Sequence, residues 1–126
     1  MKQAIFSPDA PRAMGAYSQA IRGAGMVFVS GQVALDPATG KLIEGDVAAQ
    51  TERVMKNLAA ILATVGSGLK QVLKSTVYLT NMDDFVAMNE VYGKHMGSPT
   101  PARSTVAVSQ LPDKGALVEI DVIALL

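Results

Sequence analysis

Apolar and polar positions along this chain change period several times, and each change marks the start or end of an element. Lys2 to Phe6 alternates weakly and predicts a short edge strand. Pro8 and Pro11 then impose a loop, because each fixes φ and removes a backbone donor. Alternation returns at Tyr17–Ile21 and Met26–Val33, a predicted hairpin turning at Gly23-Ala24-Gly25. In its second arm Met26, Phe28, Ser30 and Gln32 share one face, with Val27, Val29, Gly31 and Val33 on the other.

From Asp46 the period lengthens. Val47, Val54, Leu58, Ile61, Leu62 and Val65 recur at helical spacing, opposite Glu52, Arg53, Lys56 and Asn57. The pattern predicts an amphipathic helix of about 20 residues, capped by Asp46 and stopped by Gly66 and Gly68. Lys70 to Thr80 alternates again, with Leu73, Val77 and Leu79 facing one way and Lys74, Thr76 and Tyr78 the other. Asn81 or Asp83 then caps a second helix, whose stripe is Phe85, Met88, Tyr92 and Met96, with Asn89 at its edge. Gly97-Ser98-Pro99 ends it.

Ser98 to Val122 reads as two strands joined by the turn residues of Leu111–Gly115. Arg103, Thr105 and Ala107 share one face of the first strand; Ser104, Val106 and Val108 share the other. In the second, Val118, Ile120 and Val122 form an apolar face opposite Glu119 and Asp121. If the apolar faces meet one core, Arg103 and Glu119 project together from the far side of the sheet. The order of elements predicts an α+β fold in which two helices cover one face of a mixed sheet. Its bare face, carrying Arg103, Thr105, Glu119 and Asp121, would suit a subunit interface with polar pockets.

Composition narrows the picture. The 126 residues suit one domain spanning 1–126. Charged residues make up 17%, below the usual value of about 25%, which predicts surface hidden in an oligomer. Zero net charge and 5% aromatic residues argue against nucleic acid as a partner. There is no cysteine and a single histidine, His95, so thiol chemistry and multi-histidine metal sites fall away. No signal segment and no apolar run of about 20 residues is visible, so the expectation is a cytoplasmic protein without a membrane span.

Serine hydrolysis would require His95 as base, but its place near the end of the second helix, beside Lys94, favours an ordinary surface or interface role. No dinucleotide fingerprint or phosphate loop occurs. What survives is arginine, carboxylate, hydroxyl and amide chemistry. Arg103 offers a planar fork matched to a carboxylate. Glu119 is a candidate to activate water, although a nearby Arg103 would depress its pKa. Tyr17, Ser30 and Asn89 are neutral donors able to complete such a pocket, and each also has an ordinary packing or solvent role. The residues alone leave Arg103 and Glu119 open between an interface ion pair and a small-carboxylate site.

The run Pro101-Ala102-Arg103-Ser104-Thr105-Val106, followed by Leu111 and Leu117-Val118-Glu119-Ile120, resembles the C-terminal signature of the Rid (YjgF) family of reactive-intermediate deaminases. Matching pieces run along nearly the whole chain: Gly15–Ala20, Val29-Ser30-Gly31-Gln32, Asn57-Leu58, Val77-Tyr78-Leu79, then Met82, Phe85, Asn89 and Tyr92. The resemblance implies a chorismate-mutase-like α+β domain assembling as a homotrimer, with active sites in clefts between subunits. It implies hydrolysis of small 2-imino acids, such as 2-iminopropanoate and 2-iminobutanoate, to 2-keto acids and ammonia without a cofactor. Arg103 would hold the substrate carboxylate, Glu119 would handle the water, and Tyr17, Ser30, Gly31 and Asn89 would shape the site. Thr105 stands where many members carry cysteine, so it is expected to tune the pocket rather than supply a thiol. The competing readings are a non-enzymatic trimer that binds small carboxylates, and RNA cleavage, which the neutral charge disfavours.

Overall fold

The computed structural model describes residues 1–126. Strands β1 (Gln3–Ile5), β2 (Ala20–Gly23) and β3 (Met26–Gln32) lead to helix α1 (Val47–Ala63). Strand β4 (Val72–Leu79), helix α2 (Phe85–Met96), β5 (Ala102–Ala107) and β6 (Val118–Leu125) complete the chain. The strands form one six-stranded sheet in the order β1-β2-β3-β6-β4-β5. Only β4 and β5 run parallel, as the intervening α2 crossover permits; every other pair is antiparallel.

Both helices lie on one face, as the alternation predicts. Val27, Val29, Val77, Leu79, Val118, Ile120 and Val122 meet Val54, Leu58, Ile61, Leu62, Met88 and Met96 in a single core. Leu58, Ile61 and Leu62 are completely buried, so truncating any one to alanine costs about 2–5 kcal/mol. Asp46 caps α1 by accepting the Ala49 N–H at 2.9 Å. Gly66 takes the left-handed turn after the helix, at φ +74°. The β2–β3 turn needs positive φ at both central residues, and Ala24 and Gly25 supply φ +54° and +75°.

Several strand-level expectations are overturned. β5 and β6 are not a hairpin: β4 lies between them, parallel to β5 and antiparallel to β6. Turn residues at Leu111–Gly115 reverse the chain but leave room for a third strand. Leu73 was expected in the core but is 44% exposed, because a bulge between Val72 and Lys74 turns it outward. Asn57 was expected on the polar face of α1 but is wholly buried, donating to the carbonyls of Val33 and Leu35. Tyr17 precedes β2 rather than opening it.

Most consequential for the site is the orientation of β5. Arg103 pairs with Ser75, and Thr105 with Val77; both partners are buried on the helix side. Arg103 and Thr105 therefore point to the helix side, and Val106, expected in the core, is 42% exposed on the bare side. Glu119 and Asp121 do face the bare side, paired with Tyr78 and Thr76. Partly exposed Ile21, Phe28, Ile123, Leu125 and Val106 share that face with them.

Candidate active site

Two clefts carry the candidate residues, one on each side of the sheet. The first, about 430 Å³, includes Arg12, Tyr17, Ser30, Gly31, Asp113 and Glu119 in its lining. The second, about 330 Å³, is lined by Asn89, Tyr92, Gly93, Thr100, Pro101 and Arg103.

The first cleft depends on a bulge. Val29 pairs with Val122 and Gln32 with Ile120, so Ser30 and Gly31 together oppose one residue of β6. The extra residue inverts the alternation. Gln32 turns into the core, and Gly31 moves to the Glu119 side, not the Val27 side that simple alternation gives it. A Cβ on Gly31 would fall 2.5 Å from Glu119 Oε2, so only glycine leaves the carboxylate where it is. Ser30 Oγ donates to the Ser18 carbonyl at 2.6 Å, and its N–H donates to the Gln19 carbonyl at 2.9 Å. Tyr17 is 53% exposed at the rim, its phenol oxygen accepting the Met14 N–H at 3.3 Å.

Buried amides hold this cleft's loops. Gln19 accepts the Ser7 N–H at 2.6 Å and donates to the carbonyls of Ser7, Ala10 and Pro11. Gln50 accepts the Leu117 N–H at 2.8 Å and donates to the Gly115 carbonyl, fixing the chain that enters β6. Burial pushes the Glu119 carboxyl above its ordinary value, and the Asp121 and Asp113 charges push it the same way. That is opposite to the depression expected from Arg103, because Arg103 lies across the sheet. Burial likewise raises the Tyr78 phenol, which donates to Asp121 Oδ2 at 3.1 Å.

In the second cleft Arg103 Nη1 donates to Asn89 Oδ1 at 2.7 Å. Its guanidinium carbon lies 4.8 Å from the Tyr92 ring centroid and 5.4 Å from that of Phe85, within cation–π range. Thr105 is on the same side, two residues along, but does not line this cleft. The structure thus groups Tyr17, Ser30, Gly31 and Glu119 together, and Arg103 with Asn89, and holds the groups apart. Tyr92, Phe85, Asp113 and Gln19 are neighbours that reading the sequence as core and turn did not single out. The spacing of Phe85, Asn89 and Tyr92 on one helix face was the available signal.

His95 is not in either cleft. Its Nε2 lies 2.9 Å from Glu52 Oε1, joining α2 to α1, and that hydrogen bond holds the Glu52 carboxyl below its ordinary value. No group of three or more potential metal ligands is present, and no helix is long and apolar enough to cross a membrane.

The fold is a single α+β layer pair, a six-stranded mixed sheet with both helices on one face. The family model described as Endoribonuclease L-PSP matches residues 7–126. Protein DfrA of Myxococcus xanthus is 52% identical over 125 residues, covering 98% of this chain and 95% of DfrA. A 2-iminobutanoate/2-iminopropanoate deaminase of Mus musculus is 40% identical, over 98% of this chain and 91% of its own. Among solved structures, a protein of Thermotoga maritima described as a putative endoribonuclease superposes with a TM-score of 0.95 at 48% identity, covering 100% of this chain and 98% of its own. TdcF of E. coli with bound serine gives 0.90 at 36% identity, covering 98% of each. The chain belongs to this Endoribonuclease L-PSP family, the YjgF/Rid proteins, some of whose members are named reactive-intermediate or 2-iminobutanoate deaminases.

Proposed function

We propose that the protein hydrolyses small 2-imino acids to 2-keto acids and ammonia, in sites completed between copies of the chain in a homotrimer. The observation that carries this reading is the division of the candidate residues. Arg103 and Glu119 occupy clefts on opposite sides of one sheet, so they act on one substrate only where two copies meet. The bare sheet face, with Phe28, Val106 and Leu125 each 40% exposed or more, provides apolar surface for such an assembly. The mouse relative's name supplies the substrate class, and the serine bound to the similar E. coli protein is a carboxylate of comparable size.

In this reading the substrate carboxylate takes the free N–H donors of Arg103 from one copy. Its imine carbon lies toward Glu119 of the next, beside Ser30, Gly31 and Tyr17. Water adds to the protonated C=N bond as one of its protons passes to the Glu119 carboxylate, giving a neutral carbinolamine. Glu119 returns that proton to nitrogen, and as the C–N bond breaks the hydroxyl proton passes to the departing ammonia, so the keto acid and ammonium leave. The balance needs water alone. A carboxyl with a raised pKa suits this exchange, since its carboxylate is a stronger base toward water than that of an ordinary glutamate. Holding the ends of the substrate from two rigid frames supplies the orientation.

The test couples a pyridoxal-phosphate dehydratase to keto-acid detection and adds the purified protein, with its mass verified in solution. Accelerated keto-acid release supports the reading. A verified trimer that leaves the rate unchanged refutes it, and one that still binds 2-ketobutanoate would instead be a carboxylate-binding module.

A further inference from the structure

Ser75 is fully buried on β4 and lies directly opposite Arg103 in the parallel ladder. Its hydroxyl meets the Tyr92 phenol at 2.5 Å, so the strand that neighbours Arg103 also fixes the ring beneath it. Tyr92 is 3% exposed, and its centroid lies 4.8 Å from the Arg103 guanidinium carbon. Asn89 and Phe85 complete the surround, about one turn and two turns back from Tyr92 on α2. No acidic side chain pairs with Arg103; Glu52 pairs with Lys56 and hydrogen-bonds His95 instead. The charge is therefore held by ring faces and one amide oxygen, which leaves the rest of the fork free for an anion.

We propose that Tyr92, pinned by its bond to Ser75, is a positioning residue that sets the orientation of Arg103 and hence its affinity for a substrate carboxylate. The inference rests on Arg103 being the carboxylate anchor. The rings attract the guanidinium without competing with the ligand, whereas an aspartate in the same place would occupy the fork. Tyr92 acts only through Arg103 and touches no reacting atom.

Three variants and two readouts test it. Tyr92→Phe keeps the ring and removes its anchor; Tyr92→Leu removes the ring; Met96→Leu changes the same buried stripe away from Arg103. KM for a 2-imino acid is expected to rise about threefold in Tyr92→Phe and about tenfold or more in Tyr92→Leu, the scale of a lost cation–π contact, with kcat within about twofold. Met96→Leu should leave KM unchanged even where it lowers Tm by as much. Independently of turnover, nitrogen NMR of the Arg103 guanidinium should show hindered rotation in the wild type and faster rotation in Tyr92→Leu. Unchanged KM together with unchanged Arg103 resonances in both Tyr92 variants overturns the inference. A parallel KM rise in Met96→Leu overturns it too, since that marks general loosening. A wild type without deaminase activity or carboxylate binding would refute the functional reading instead, and the NMR arm would still decide whether Tyr92 holds Arg103.

Discussion

The two clefts hold opposite charges by opposite means. Around Arg103 the work falls to side chains: Asn89 accepts one N–H, and Tyr92 and Phe85 carry the charge on their faces. Around Glu119 it falls to the backbone: a bulge places Gly31 against the carboxylate, and buried Gln19 and Gln50 brace the loops through main-chain atoms. No acidic side chain pairs with the arginine, whereas burial, and then the Asp121 and Asp113 charges, keep the glutamate's proton affinity high. Placed side by side, the two would neutralise each other. Within one chain the sheet keeps them apart, and in the proposed assembly a substrate carboxylate lies between Arg103 of one copy and Glu119 of the next.

Deleting either end of that comparison should have the largest effect. Arg103→Ala should abolish measurable imine hydrolysis, and Arg103→Lys should retain little, because an ammonium lacks the two-pronged fork; a wild-type kcat/KM in both would remove Arg103 from the site. Glu119→Gln should lower kcat by about 10²–10⁴-fold while retaining product binding, the scale of general acid–base catalysis. Co-refolding equal amounts of Arg103→Ala and Glu119→Gln chains sharpens the contrast. If each site takes one residue from each of two copies, about a quarter of wild-type activity should return from two inactive parents. No recovery from a verified mixed trimer would place both residues in one chain's site.

Gly31→Ala probes the backbone side of the comparison. The added methyl must displace the flexible Glu119 carboxylate, so activity should fall about 100-fold, as for a misplacement of about 1 Å, with little change in Tm. The carboxyl's own cost follows from its raised pKa. The folded state binds this proton more tightly than the unfolded chain, so stability falls as pH rises from the ordinary value of 4.5 through the folded one. Glu119→Gln removes that cost and should raise stability against urea more at pH 7 than at pH 4.

The smallest effect belongs outside both clefts. His95→Ala should destabilise by about 1 kcal/mol or less, as expected for a partly exposed hydrogen bond to a carboxylate. Glu52 has the lowered pKa, so its contribution is present above 4.5 and lost as pH falls through the folded value. The difference between wild type and His95→Ala in urea should accordingly shrink on acidification.

Helices were legible from the sequence because their signals are local: Asp46 caps α1 as its position suggests, and Met88, Tyr92 and Met96 are buried as their spacing requires. The strands' alternation was legible, but not which strand neighbours which. A period of two cannot reveal that β4 slips between β5 and β6, nor that one inserted residue at Leu73 or Gly31 inverts a face. Alternation put Arg103 on the bare side because it put Val106 and Val108, on the opposite face of the strand, in the core. At a sheet edge, with Asn89 and two rings to receive it, the charge sits readily on the helix side. The residues of the candidate site were thus readable by type, while their division into two clefts required the fold.

The chain's connectivity carries a further consequence. Residues 72–107 form β4, α2 and β5 in unbroken succession, so the arginine cleft is closed by near neighbours in sequence. The glutamate cleft needs β3 beside β6, with Val29 opposite Val122, and so must wait for distant parts of the chain to meet. Local contacts form sooner than remote ones. During refolding, protection of amide hydrogens in α2 should precede protection in β3. A half-finished chain would hold the Arg103 cleft before the Glu119 cleft had formed.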